Sequence, residues 1–352
     1  MDPVKDTGSS SEESTARFDR SVLDIDCASA SHTIEGAIRK AIGGALHRRG
    51  AVVAVSGGVD SAVCAALAAR ALGPGRVLGL LMPERDSSPA GTERAKHLCE
   101  GLGVAYEIED IAPVLESLGC YRRRDDAIRS LIPEYGPGWR QKITVADNLV
   151  GQDRLNYFNL VVESPDGRRE KKRMPLEVYL QVVAATNMKQ RTRKLLEYYH
   201  AERLNYAVLG TPNWLEYELG FFVRGGDGLA DLKPIAHLYK TQVYALAQYL
   251  GVPEEIRSQP PSTDTYSLPQ AQEEFYFALP YDKMDLSLYA FLHSIPAAEA
   301  GQVLGLDGLA VERVYLDIVA KRRTAARLLQ AALLTGDVLP QQTRLDAGEG
   351  VL

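Results

Sequence analysis

The chain has 352 residues, 45% of them apolar, with 40 Lys and Arg against 46 Asp and Glu for a formal net charge of −6. That length suits one large α/β domain with additions or two modest ones, and the negative balance excludes a global attraction to nucleic acid or anionic lipid, so a small-molecule partner is expected. The four cysteines (27, 64, 99 and 120) show no metal-ligand or C-x-x-C spacing, there is no signal pattern, and no apolar run reaches the ~18 residues that span a bilayer, so the reading is a soluble cytoplasmic protein with reduced thiols and no membrane partner.

Residues 1–25 are polar, with Gly8-Ser-Ser-Ser-Glu-Glu, and read as a disordered tail. A helix is expected near Ser31 to Arg49, then an apolar strand Ala51-Val-Val-Ala-Val, the turn Ser56-Gly-Gly-Val-Asp-Ser61 and an Ala-rich helix to Leu72. Arg76-Val-Leu-Gly-Leu-Leu-Met82 reads as a buried strand, Gly91 to Leu102 as a helix and Ala105 to Ile108 as a strand. This alternation predicts an α/β class: a doubly wound, mostly parallel sheet with right-handed crossovers and helices on both faces. Residues 121–180 break the rhythm and read as an insertion. It is expected to be a hairpin about Pro165-Asp166-Gly167, with arms Tyr157 to Val162 and Met174 to Val183 and the basic run Arg168-Arg-Glu-Lys-Lys-Arg173 near its tip. The alternation resumes with a helix over 187–202, a strand Tyr206 to Leu209, a helix over 239–250 and helical segments to Leu334. The predicted organisation is one domain over 26–335 and a frayed tail over 336–352.

The turn at 56–61 carries the most chemistry. Gly57 and Gly58 allow backbone amides to approach an anion, and the following helix aims its positive end at the same point. Asp60 beside a polyphosphate would repel it unless a divalent cation lies between them, so the turn predicts ATP with Mg²⁺. It matches neither the common NTPase loop nor the dinucleotide-binding fingerprint. Ser-Gly-Gly-x-Asp-Ser after a buried strand resembles the ATP pyrophosphatases, which adenylate an acceptor and release pyrophosphate.

Four later segments narrow the resemblance: Asn187-Met-Lys-Gln-Arg-Thr-Arg193, Gly210-Thr-Pro-Asn-Trp-Leu-Glu-Tyr-Glu-Leu-Gly220, the stretch Gly226 to Thr241, and Gln259-Pro-Pro-Ser-Thr-Asp264. With the turn, in this order, they resemble the amidating domain of the NAD synthetase family, which has an adenine nucleotide alpha hydrolase-like fold. The resemblance implies that Ser56, Gly57, Gly58, Asp60, Ser61, Arg85, Thr211, Lys240 and Ser262 bind ATP. It implies that Asp60 and Glu216 hold Mg²⁺, and that Asp60, Lys240 and Ser262 are catalytic. Lys240 would neutralise the phosphates, although outside this motif it would read as a solvated surface lysine.

On the acceptor side the resemblance points to Arg191, Arg224, Asp231 and Lys321. There the family's usual Thr-Lys-Tyr/Phe-Gly-Asp reads Val223-Arg-Gly-Gly-Asp227, and a His-Lys pair reads Ala320-Lys321. The implied reaction is attack of a carboxylate on the α-phosphorus of ATP, departure of pyrophosphate, and displacement of AMP by ammonia, with deamido-NAD as the default acceptor. The chain has no second domain large enough for a glutaminase, so ammonia is expected from solution or from a separate glutaminase partner. A homodimer is implied by the resemblance alone. The alternatives are the same chemistry on another carboxylate, a sulfur-transferring ATP pyrophosphatase with Cys120 as its candidate thiol, and a non-catalytic nucleotide binder.

Overall fold

Alternate residues of the central apolar runs point to opposite sides of one sheet, and this sets the layers of the protein. The computed structural model describes residues 18–145, 158–261, 265–277 and 279–335. Its strands are β1 (Ala51–Ala54), β2 (Val77–Leu81), β3 (Ala105–Ile108), β4 (Arg140–Val145), β5 (Phe158–Glu163), β6 (Arg169–Arg173) and β7 (Ala207–Leu209). The first half of the chain adds helices α1 (Cys27–Lys40), α2 (Val59–Leu72), α3 (Pro89–Leu102), α4 (Ala112–Ser117), α5 (Cys120–Arg129) and α6 (Leu176–Leu204). Then come α7 (Trp214–Leu219), α8 (Lys240–Tyr249), α9 (Glu254–Arg257), α10 (Gln272–Phe275), α11 (Tyr281–Leu292), α12 (Ala297–Leu304) and α13 (Gly308–Leu329). No described helix is long and apolar enough to cross a membrane.

β1, β2, β3 and β7 pair in parallel in the order β3-β2-β1-β7. Val53, Val77, Leu81 and Leu209 face α1, α2, α3 and α8 on one side. Val52, Leu78, Leu80 and Val208 face α4, α5 and α6 on the other. The sheet is therefore doubly wound, as its apolar runs predict. The small side chains of α2 let it sit buried between the sheet and its neighbours α1 and α8. A further core joins α7, α11, α12 and α13.

Three expectations need correction. Phe18 and Leu23 are buried in that last core, with Phe18 stacked on Tyr289, so ordered packing begins inside the stretch read as a polar tail. The two apolar side chains outweigh the polar average around them. The second hairpin arm is not a strand over 174–183: Pro175 caps a 29-residue helix there, and the basic run itself is the strand β6. Val178 and Val182 stand four apart, as do Tyr179 and Val183, which is helical spacing, and all four pack on one apolar cluster. The arm is also not a two-stranded hairpin, because β4 pairs antiparallel with β5 to make a three-stranded sheet with β6 at its edge. The charges of β6 suit an edge, since they discourage further strand pairing. Tyr157, at the start of the first arm, lies outside the described residues, as do the tails 1–17 and 336–352.

A buried ionic hub ties the turn after β2 to α5, α6 and the segment at Thr265. Lys189 of α6, 1% exposed, donates to Glu84 Oε1 at 2.9 Å, Asp86 Oδ2 at 2.8 Å and the Thr265 carbonyl at 2.9 Å. Tyr121 donates to Glu84 at 2.8 Å and Arg124 to Asp86 at 2.5 Å, both from α5. Burial works against the Asp86 carboxylate, yet Lys189 and Arg124 outweigh it and hold that pKa below its usual value. Removing one partner of such a buried set leaves uncompensated charge. Lys189→Met is therefore expected to destabilise the fold by about 3–5 kcal/mol in urea unfolding, and a loss well under 1 kcal/mol would show that the hub is not an energetic tie.

Candidate active site

The strand order changes direction at β1, with β2 and β3 on one side and β7 on the other. Loops leaving the carboxyl ends of strands at such a switch point diverge and leave a crevice. A cleft of about 210 Å³ opens there. Ser56 and Ser61 line it after β1, Met82 and Pro83 after β2, Gly210 and Thr211 after β7, and Gln190, Arg193 and Lys194 from α6.

The turn between β1 and α2 is built for close approach. Gly57 has φ +83°, and a Cβ there would lie 2.3 Å from the Gly91 carbonyl oxygen in the first turn of α3. Gly58, read as equally constrained, has φ −95°, and a Cβ there would meet only Ser56 Oγ, at 3.4 Å, so just one of the two glycines is obligatory. Ser61 Oγ donates to the Gly58 carbonyl at 2.9 Å, accepts from the Ser56 amide at 3.2 Å and lies 3.1 Å from Ser56 Oγ. These bonds hold the turn while no side chain caps α2, so the positive end of that helix is open to an anion.

Beside the turn lies a compact charge cluster. Lys240, the first residue of α8 and only 2% exposed, donates to Asp60 Oδ2, and Asn213 Nδ2 donates to Asp60 Oδ1 at 3.0 Å. Asn213 also caps α7: its Oδ1 accepts from the Glu216 amide at 3.1 Å, and its own amide donates to Glu216 Oε2 at 3.2 Å. Gln272 of α10 donates to the other Glu216 oxygen at 3.2 Å. Burial disfavours the Lys240 ammonium, but Asp60 and Glu216 outweigh it and raise its pKa above the usual lysine value. Burial, reinforced by Asp60, pushes the Glu216 carboxyl up to about 8. Two carboxylates joined through Asn213 thus face one buried cation.

Sequence reading left several residues in or beside the cleft without a role; Asp60, Asn213, Glu216 and Lys240 lie beside it and do not line it. Asn213 has one, and the Asn-x-x-Glu spacing of a capping box announces it. Arg193 lines the cleft and donates to the Met82 carbonyl at 3.2 Å, whereas Arg85 does not line it. Arg85 instead lies over the Tyr121 ring, 3.9 Å from its centroid, and pairs with Asp125 at 3.7 Å. Glu197 and Asp227 add two carboxyls to the cleft, each pushed up by burial; Lys194 donates to Glu197 at 2.6 Å and the Val223 amide to Asp227 at 2.7 Å. Cys120 is buried away from the cleft and donates to the Ala185 carbonyl, so it offers no thiol to an acceptor. Ser262 lies outside the described residues.

A family model described as NAD synthase matches residues 31–131 and 139–323. The chain belongs to the NAD synthase family. It is 54% identical over 311 residues to the NH(3)-dependent NAD(+) synthetase of Rhizobium meliloti, covering 88% of this chain and 92% of that one. With the Thermotoga maritima protein of the same name it shares 40% identity over 237 residues, 67% of this chain and 78% of the other. Two solved structures, NMN synthetase from Francisella tularensis and NH3-dependent NAD synthetase from Campylobacter jejuni, superpose with TM-scores of 0.60 and 0.57. Each is 22% identical and covered over its whole length by 89% of this chain, a likeness of fold. The NAD synthase match runs through most of the segment 121–180 set apart as an insertion, leaving only residues 132–138 unmatched within it.

In this member of the NAD synthase family the four acceptor-side candidates do not form one cluster. Arg191 donates to the Arg224 carbonyl at 3.2 Å, and Arg224 to the Gln330 carbonyl at 2.9 Å. Asp231 accepts from the Val208 amide at 2.8 Å and the Tyr198 hydroxyl at 3.2 Å, which ties it to β7. Lys321 donates to Asp317 and to the Tyr276 carbonyl at 2.5 and 2.6 Å.

Gly57→Ala would force a side chain into the left-handed region and against Gly91, at a cost of about 1–3 kcal/mol. The expected outcome is a folded but less stable protein with weakened ATP binding, read by urea melts and calorimetry; wild-type values of both would remove the close-approach requirement. Glu216 yields a pH signature. A carboxyl whose pKa rises from 4.5 unfolded to about 8 folded makes the native state bind more protons, so the metal-free protein should lose stability as pH rises through that window. Glu216→Gln should flatten that decline, and parallel slopes for the two proteins in urea melts would rule out Glu216 as its source.

Proposed function

We propose that this protein is an ATP-dependent, ammonia-using NAD synthetase that adenylates the carboxylate of deamido-NAD, releases pyrophosphate and forms the amide as ammonia displaces AMP. The observation that carries the chemistry is the buried Lys240–Asp60 pair, with Glu216 beside it, at the open N-terminus of α2, next to a switch-point cleft that Ser56 and Ser61 of the same turn line. The choice of ammonia and of an NAD(+) product rests on the names of the relatives, and deamido-NAD as the acceptor on the family resemblance.

In this reading the amides of the 57–61 turn and the hydroxyls of Ser56 and Ser61 hold the phosphates. Lys240 supplies fixed positive charge where pyrophosphate departs, at no reorganisation cost because Asp60 already orients it. The donor set suits Mg²⁺: two carboxylates beside a phosphate cradle, one of them pushed by burial toward its protonated form, a tendency that a bound cation would oppose. Bound there by Asp60 and Glu216, Mg²⁺ would screen the phosphates from those carboxylates and polarise them toward attack. Thr211 and Arg193 flank the nucleotide. The assembly is a homodimer in this reading, as the family resemblance implies.

The test is pyrophosphate release with ATP, ammonium and a panel of carboxylates. Release that depends on deamido-NAD supports the proposal, and release with another carboxylate only would move the enzyme to a different acceptor. Asp60→Asn and Glu216→Gln, chosen over alanine so that Lys240 and Asn213 keep polar neighbours, should each lower turnover by about 10²–10³, and near-normal rates in both folded variants would end the metal assignment. Lys240→Ala should lose a similar factor in kcat.

A further inference from the structure

Lys240 occupies an awkward place for a cation. It is the first residue of α8, where the helix macrodipole is positive and the first amides have no intrahelical acceptor, so both the dipole and burial oppose a charged lysine there. The residue before it, Tyr239, has no short polar side chain to cap the helix. The acceptor comes instead from 45 residues further along the chain. Asp285, on α11 and 0% exposed, accepts from the Lys240 amide at 3.2 Å, the Thr241 amide at 2.6 Å and the Thr241 hydroxyl at 2.7 Å. Its two oxygens thereby take up both opening amides of the helix.

We infer that Asp285 is a positioning residue for the reaction: by capping the first turn of α8 with a buried negative charge, it fixes the backbone of Lys240 and offsets the helix's positive end. The Lys240 ammonium is then free to face Asp60 and the phosphates. The inference rests on the reading of Lys240 as the phosphate-neutralising group. Burial raises the Asp285 carboxyl to about 6, while the bonds it accepts from Thr241 and Lys240 favour its charged form. Nothing else in the fold accounts for the carboxylate: it has no side-chain cation bonded to it among the described residues, and all three of its bonds go to residues 240 and 241.

The measurement is a double-mutant cycle on pyrophosphate release, with Asp285→Asn, Lys240→Ala and the pair together in the full-length protein. Asp285→Asn should lower kcat by about 10- to 100-fold with little change in the KM for ATP, and should add almost nothing in the Lys240→Ala background. An equal further loss in that background means that Asp285 acts on the fold generally, and overturns the inference while leaving Lys240 in place. A Lys240→Ala enzyme with wild-type turnover instead overturns the reading of Lys240 and this inference together. Should Asp285→Asn fail to fold, Thr241→Val removes the hydroxyl contact alone. It should lower kcat about threefold, again only when Lys240 is present, and an unchanged kcat overturns the inference.

Discussion

A lysine ammonium withdrawn almost wholly from water, facing a carboxylate 180 positions away in the chain, is the constraint on which the site depends. Burying either charge alone would cost several kcal/mol, so the Lys240–Asp60 pair is tolerable only while α2 and α8 stay in register. Both helices pack on the same face of the parallel sheet, and α2 is lined with small side chains that allow that approach. The apolar core on that face and the polar site above it are therefore one arrangement. The core brings two helix N-termini together, and the site uses the charges that meet there.

The other face of the sheet repeats the device at a different place. Lys189 satisfies two buried carboxylates and a carbonyl, and joins the turn after β2 to α5, α6 and the segment at Thr265. One helical turn further along α6, Arg193 holds the Met82 carbonyl from within the cleft. A single helix thus clamps one wall of the cleft from its buried and its open side, which explains why a cation-rich helix packs beneath the turns of the binding crevice.

The residues proposed for the acceptor are more loosely arranged. Arg191, Arg224, Asp231 and Lys321 each bond to backbone or to a nearby acid, in three separate places, whereas the residues around the phosphate turn converge. A group that must meet a pyrophosphate needs convergent charge, because developing charge is localised there. Contacts to a large dinucleotide are spread along its length, so the residues implied for them need not touch one another.

What the sequence determined by itself was local and periodic: the buried strands, the alternation with helices that dictates a doubly wound sheet, and the glycine turn. Those features depend on neighbours a few residues apart, so they are legible along the chain. The valines of α6 were misread as a strand because β-branched side chains favour strands, while their four-residue spacing, decided by packing on the small sheet, favours a helix. Gly58 could not be separated from Gly57, since only the approach of Gly91 distinguishes them. Only the tertiary structure decided that Lys240 is buried rather than solvated, that Arg193 rather than Arg85 lines the cleft, and that Asp285 caps the helix carrying Lys240. Each of these depends on which distant elements the core brings together, and a charge on a helix has no linear signature that says whether it will meet water or a carboxylate.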